Sequence, residues 1–197
     1  MNKNMNATPP HPNFESQVSS SFAFLTKLGY VEIESLPTLV RYKKEDVELD
    51  IYYGRSSYEI GAGISYDGTR YALGEIIRIT DVDASKRYRN FATTTAGGIA
   101  LALSELSLLM ERYGMNALKG DPQVFMALDS QRKIWSEEYA LDVLAEQLRP
   151  QAEDSFRTGD YAKAAELYNR IRGRLTPVEV KKLMVAEDRM HGKELPG

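Results

Sequence analysis

The stretch Val47-Glu-Leu-Asp-Ile-Tyr-Tyr-Gly-Arg-Ser-Ser-Tyr-Glu-Ile-Gly-Ala-Gly-Ile64 decides the fold of this chain. In residues 47–53 apolar and polar side chains alternate, which is the pattern of a β-strand with one buried face. The alternation returns in residues 58–65, after the turn Gly54-Arg-Ser-Ser57. Because so short a loop joins neighbouring antiparallel strands, the stretch predicts a β-hairpin.

Similar patterns lie on both sides of this hairpin. Residues 30–34 and 39–43 each predict a strand, separated by a break at Leu36-Pro-Thr38. Asp67-Gly68 marks a further turn, and residues 71–73 fit a short fifth strand. Residues 74–79 fit either a helical turn or a strand. The whole region therefore predicts an antiparallel meander of four or five strands.

Helical patterns surround the meander. Residues 13–28 predict one helix, which Gly29 ends, and residues 95–113 predict another. Asp121-Pro122 begins a long helical region that runs through residue 147. Its candidate core residues are Val124, Phe125, Leu128, Trp135, Tyr139, Val143 and Leu144.

Two sequence features predict where helices begin or bend near the end of the chain. Pro150 is expected to kink the helical region or to begin a new helix. Thr176-Pro-Val-Glu179 combines a capping box with proline at the first helical position, which predicts a last helix from Pro177 to Met190.

These elements predict an α+β fold: an N-terminal helix, an antiparallel meander of four to five strands, and an all-helical C-terminal half. Residues 1–12 are interpreted as a flexible leader. Residues 13–114 are expected to form the α+β domain, and residues 115–197 a helical extension packed on it.

Composition excludes several kinds of site. The chain has 197 residues, no cysteine, and two histidines, His11 and His191, one in each terminal region. Cysteine-based metal sites and thiolate nucleophiles are excluded, and a histidine triad in the body of the fold is not expected. We therefore predict no catalytic residue, no cofactor and no metal.

Charge and hydropathy limit the choice of partner and compartment. The net charge is −3 and no basic stripe is evident, so a nucleic-acid partner is not expected. The basic run at residues 170–174 is interpreted as a solvated helix end. No segment approaches the roughly 20 apolar residues of a membrane span, and the N-terminus does not match a secretory signal. The expected location is the cytoplasm.

The C-terminal region contains a helical-hairpin pattern. Ala152 and Phe156 precede the corner Gly159-Asp-Tyr161, and Ala164 and Tyr168 follow it. Small side chains at these positions let two helices approach closely, and aromatic ones fill the groove between them. The pattern, at about residues 140–175, resembles a single tetratricopeptide repeat. That resemblance implies an adaptor that binds protein, and the alternative is a stable hairpin that completes the fold.

The sheet supplies the candidate binding residues. Glu48, Asp50 and Tyr52 share one face of their strand, Glu59 lies on the next strand, and Arg55 lies in the turn between them. Gly61 and Gly63 leave this face without bulk, so another backbone is expected to approach closely there. An acidic, tyrosine-bearing face suits a basic partner protein. The alternative is an ordinary solvated face.

The order of elements over residues 14–113 resembles that of small cytosolic bacterial proteins, some of which are immunity proteins of toxin systems. This likeness implies a toxin as the partner, with its active site covered by the sheet face. The leading hypothesis is thus a non-enzymatic protein-binding protein. An alternative is an adaptor or self-assembling homo-oligomer that uses the C-terminal hairpin.

A third hypothesis is an enzyme with a carboxylate-bound metal. Asp46, Glu48 and Asp50 alternate along one strand, and Asp81 and Asp83 form a second pair. Oxygen ligands of this kind suit magnesium or calcium. The sequence identifies no third element with matching ligands.

Overall fold

The computed structural model describes residues 13–191, without the side chain of His191. The expected leader at residues 1–12 and the tail after residue 191 lie outside the described residues. The chain divides into two compact units, residues 1–130 and 131–197. Each unit is described separately.

The N-terminal unit contains the sheet and the helices that cover one face of it. Its elements are α1 (Phe14–Ser21), α2 (Phe24–Lys27), β1 (Val31–Leu36), β2 (Leu39–Lys44), β3 (Val47–Tyr53), β4 (Glu59–Tyr66), β5 (Thr69–Ala72), α3 (Leu73–Thr80), α4 (Val82–Arg87), β6 (Phe91–Ala92), α5 (Ala96–Tyr113), α6 (Met115–Leu118) and the start of α7 (Pro122–Arg157).

The sheet is antiparallel and its strands follow chain order from β1 to β5, while the short β6 pairs with the start of β4. Asp50 lies opposite Gly63, and Tyr52 lies opposite Gly61. The turn between β4 and β5 consists of Asp67 and Gly68, both with positive φ, the backbone of a tight two-residue hairpin turn. The α+β fold and the antiparallel meander predicted from the sequence are confirmed.

One face of the sheet forms the core of this unit. Leu49 and Ile51 of β3 and Ile60 and Ile64 of β4 are fully buried, and the helices α1, α3 and α5 contact the sheet on this face. Burying the alternate side chains of a strand fixes which face points inward. The buried Tyr30 hydroxyl donates a hydrogen bond to the carbonyl oxygen of Leu118, 2.8 Å away.

The predicted N-terminal helix is interrupted. α1 ends at Ser21 and α2 begins at Phe24, although Phe22 and Leu25 are both buried as expected. The hydroxyl of Ser20 donates to the carbonyl oxygen of Ser16. Such back-bonding from serine bends helices and weakens their continuation. The uncertain segment at 74–79 is helical and belongs to α3.

The division into units falls later in the chain than the boundary expected at residue 114. The first two turns of α7 belong to the N-terminal core, because Phe125 and Leu128 are buried there. The ring of Phe125 stacks on Tyr66 with centroids 4.1 Å apart. Farther along, the hydroxyl of Tyr71 donates to Asp129, 2.7 Å away.

The C-terminal unit contains the remainder of α7, α8 (Tyr161–Arg170), a 3-10 turn (Arg172–Arg174) and α9 (Pro177–His191). Gly159 has a φ of +80° at the corner, and Asp160 caps α8 by accepting from the backbone N–H of Lys163. α7 is helical through Pro150. The predicted capping box is present, because Thr176 and Glu179 exchange side chain–backbone hydrogen bonds.

The core of this unit is built on small residues. Ala152, Ala164 and Ala186, one from each helix, are fully buried together with Tyr168 and Ile171. α9 packs on the hairpin through Leu183 and Ala186, so the hairpin is covered within its own unit on that side.

Not every predicted core residue lies in a core. Tyr139 is 71% exposed, so that expectation is wrong, while Trp135 and Val143 are half-buried. At 3.6 residues per turn, Tyr139 lies on the side of α7 opposite Ala145 and Leu148, two residues of this helix that are buried in the core of the unit. No helix among residues 13–191 is long and apolar enough to cross a membrane.

The close approach of α7 and α8 makes Ala164 sensitive to size. We expect Ala164→Leu to lower the free energy of unfolding by about 1–3 kcal/mol, because added methylenes overpack a filled core. The matched control is Ala162→Leu, since Ala162 is exposed on the same helix. Urea denaturation measures both variants, and equal stabilities would contradict the packing described here.

Candidate functional site

The structure brings four of the five predicted binding residues onto one face of the sheet. Glu48, Asp50 and Tyr52 project from β3 on the side opposite the core, and Glu59 joins them from β4. Arg55 lies apart from them, exposed in the turn between the two strands. The four strand residues therefore share one face of the sheet, and Arg55 does not join them.

Asp50 is held by an arginine that the sequence interpretation did not include. Arg70 of β5 donates from Nε and Nη2 to the two carboxylate oxygens of Asp50, at 2.8 and 2.7 Å. Hydrogen bonding to the Asp50 carboxylate raises the pKa of Arg70. Asp50 is 9% exposed, so it is a paired, buried carboxylate and not an open acidic group.

Tyr52 is fixed in a similar way. Its hydroxyl donates to Oε1 of Glu59, 2.9 Å away, and the guanidinium of Arg70 lies 5.5 Å from the centre of its ring. Burial, and then the hydrogen bond with Glu59, raise the pKa of Tyr52 to about 12. The hydroxyl thus stays protonated at neutral pH and keeps its role as a donor.

The side chains of Tyr52 and Arg70 occupy the space above the glycines of β4, so this part of the sheet face is not open. A Cβ on Gly61 would lie 2.6 Å from the Tyr52 hydroxyl oxygen, and one on Gly63 would lie 2.4 Å from Cζ of Arg70. The expectation that another backbone approaches over these glycines is wrong, because the chain's own Tyr52 and Arg70 occupy that space. Glycine here allows a side chain to lie flat on the sheet.

The remaining acidic residues lie toward the other end of this face. Glu48 accepts from Lys43 at 2.7 Å, which raises the pKa of that lysine. Glu48, Asp46 and Asp67 line a cleft of about 350 Å³ together with Lys43. We call this feature the acidic cleft. Three carboxylates and one ammonium leave it with a net negative charge.

Three of the five carboxylates considered as metal ligands make other contacts. Asp50 pairs with Arg70, Asp81 caps α4 by accepting from the Ala84 N–H, and Asp83 pairs with Lys86. Within the described part of the chain, no group of three or more histidine, cysteine or acidic residues has an arrangement that could hold a metal.

Sequence reasoning missed a second concave region of the N-terminal unit. A cavity of about 410 Å³ is lined by Arg87, Arg89 and Arg112 and by the aromatic side chains Tyr88 and Phe91. The sequence pattern that could have indicated this cavity is Lys86-Arg-Tyr-Arg-Asn-Phe91, where cationic and aromatic residues alternate. Arg112 comes from α5, a contribution that only the tertiary structure reveals.

No protein-family model, curated protein or solved structure matches this chain. The resemblances to the tetratricopeptide repeat and to immunity proteins therefore remain interpretations of the sequence.

The contact between Tyr52 and Gly61 can be tested directly. We expect Gly61→Ala to lower the free energy of unfolding by about 1–3 kcal/mol, because the new methyl group displaces a half-buried ring. Gly97→Ala is the matched control, since nothing lies within 4 Å of a Cβ at Gly97. In a helix that control should be neutral or stabilising by up to about 1 kcal/mol. Urea denaturation giving the same sign for both variants would contradict this geometry.

Proposed function

We propose that this chain is a non-enzymatic protein-binding protein whose sheet face contacts a partner with a basic surface. The single observation that carries the proposal is the acidic cleft formed by Asp46, Glu48 and Asp67 at the end of that face. Lysine and arginine side chains of a partner would find three carboxylates there, and Lys43 is the one cationic side chain among the described residues that line the cleft.

The rest of the face suits a contact of this kind. Tyr52 and Asp50 are held by hydrogen bonds before any partner arrives, which reduces the entropy lost on binding. At the β1 edge of the sheet, Val31 and Leu36 are 65% and 44% exposed. A rigid polar centre with apolar side chains beside it resembles the composition of protein interfaces.

The most specific form of this proposal is an immunity protein that covers the active site of a toxin. Support for that form comes from the likeness in element order and from the negative cleft, which suits the basic active-site surface of an enzyme that acts on nucleic acid. In this form the chain inhibits its partner stoichiometrically.

A second candidate function is self-assembly through α9. Lys181, Met184, Val185 and Asp188 follow the spacing i, i+3, i+4 and i+7, so they form one stripe on this helix. All four are exposed, with Met184 at 60% and Val185 at 43%. We call these four residues the α9 stripe.

The α9 stripe is complementary to itself. If two copies pair antiparallel about a two-fold axis between residues 184 and 185, Met184 of each copy meets Val185 of the other. Lys181 then lies opposite Asp188 at both ends. An interface around a two-fold axis requires this kind of self-complementarity, which is why the proposed occupant is a second copy of this chain.

The sheet-face proposal makes a prediction about charge. We expect Asp46→Asn with Asp67→Asn to weaken binding of the purified partner about tenfold or more, because two carboxylates that attract its cations are removed. Asparagine suits position 67, where φ is positive. Capture from the native host with mass spectrometry identifies the partner, and calorimetry on the purified pair measures the affinity.

The matched control for this experiment is Asp83→Asn, which removes an exposed carboxylate far from the cleft along the chain. It should leave the affinity unchanged within about twofold. Asp50 is unsuitable for charge reversal, because a lysine there would bury a cation beside Arg70. Equal affinities for the wild type and the double variant, or no stoichiometric partner, would rule out this surface.

The self-assembly proposal predicts rescue by a charge swap. Lys181→Asp or Asp188→Lys alone should weaken the dimer, because each places like charges opposite one another. The double variant should restore dimer formation, since the opposite charges meet again. Light scattering over a concentration series measures the mass, and a wild-type monomer at all concentrations would refute this candidate.

A further inference from the structure

The arginine-lined cavity of the N-terminal unit has the properties of a ligand site and takes no part in the proposed protein contacts. Its volume of about 410 Å³ falls within the range of small-molecule pockets, roughly 300–1,000 Å³. Its walls come from α3, α4, β6 and α5 and from the residues that join α4 to β6.

The charged residues that line the cavity, among those described, are all cationic. Arg87, Arg89 and Arg112 line the cavity, and none of the described residues that line it carries a carboxylate. The two acidic residues that precede Arg87 most closely are already engaged, because Asp81 accepts from the Ala84 N–H at 2.8 Å and Asp83 pairs with Lys86 at 2.9 Å. Three guanidinium groups without anions in the same cavity favour a ligand that brings its own negative charge.

Two of the arginines are held in place. Nη1 of Arg89 donates to the carbonyl oxygens of Lys86 and Tyr88, at 2.8 and 2.7 Å. These bonds leave the Nε and Nη2 donors of the guanidinium for a ligand. The guanidinium of Arg112 lies 5.1 Å from the centre of the Tyr113 ring. Preorganised donors of this kind suit the several acceptor oxygens of a phosphate.

The cavity also offers aromatic surface. Tyr88, Phe91 and Tyr113 contribute rings to the lining. Tyr88 is half-buried, and burial followed by the nearby charge of Glu59 raises the pKa of its hydroxyl. The hydroxyl is therefore neutral at physiological pH and does not repel an anion. Rings beside guanidinium groups can stack on an aromatic ligand while the arginines bind its charged end.

We propose that this cavity binds a small aromatic phosphate of the size of a nucleoside mono- or diphosphate. Three cationic groups match a phosphate group or diphosphate that carries about two or three negative charges, and the rings match the base. A cavity of this volume built from four elements favours a single small molecule, since a single nucleic-acid strand requires an extended groove.

Calorimetry on the full chain tests the proposal with AMP, ADP, adenosine and inorganic phosphate as probes. We expect AMP or ADP to bind at least about tenfold more tightly than adenosine, which lacks the charge, or phosphate, which lacks the ring. The affinity should fall with added salt, because the arginines bind the charged end of the ligand. No binding of AMP or ADP at millimolar concentration would overturn the proposal.

Variants locate the site. Arg87→Gln and Arg112→Gln change exposed side chains on different helices, and each should weaken AMP or ADP binding about tenfold or more. Lys86→Gln is the matched control, because it removes the same charge from a neighbouring residue that does not line the cavity. Its effect should stay within about twofold.

Two results of the variant series would refute the cavity as the site. One is wild-type affinity in both arginine variants. The other is an equal loss in the lysine variant combined with tighter binding of an oligonucleotide than of AMP, which would identify the basic segment as a nucleic-acid surface. Binding of AMP or ADP that depends on Arg87 and Arg112 but not on Lys86 supports the proposal.

Discussion

The pairing register of β3 and β4 is the constraint on which the rest of the N-terminal unit depends. It places Leu49 and Ile51 on the buried face and, on the opposite face, sets Asp50 and Tyr52 against Gly63 and Gly61. A shift of the pairing by one residue would turn the carboxylate of Asp50 into the core and the side chain of Leu49 outward. Burial and polar pairing thus favour the same register, and agreement of this kind gives a sequence one structure.

The polar face pairs some of its own charges and leaves others unpaired at the end where the proposed partner would bind. Arg70 and Lys43 neutralise Asp50 and Glu48, so these two acidic residues contribute little net field. Uncompensated charge remains at the turns, where Asp46 and Asp67 lie. Turn residues support no strand-to-strand pairing, so their charge is available for binding at little cost to the fold.

Small buried side chains allow the helices of the C-terminal unit to pack closely. The buried alanines Ala152, Ala164 and Ala186 let α7, α8 and α9 approach closely, and Tyr168 fills the space between them. A single hairpin exposes one of its faces unless another element covers it, and here α9 covers it. The same arrangement exposes the far side of α9, which leaves Met184 and Val185 without a partner within the unit.

The sequence by itself determined the α+β class, the meander with its turns, the capping box at Thr176 and the hairpin corner at Gly159. Each depends on residues close together in the chain, whose periodicity and backbone preferences are local. It did not determine the end of the core at Phe125 and Leu128 or the exposure of Tyr139. Helical periodicity shows that a face is apolar, but it cannot show what that face packs against.

The candidate binding surfaces were also predicted in part from the sequence and in part revealed only by the tertiary structure. Alternation alone placed Glu48, Asp50 and Tyr52 on one face, because successive side chains of a strand point to opposite sides. Only the tertiary structure brought Arg70 onto Asp50, filled the space above Gly61 and Gly63, and joined Arg112 to the segment at residues 87–91. These contacts connect residues between 7 and 25 positions apart, and the path of the chain between them decides which side chains meet.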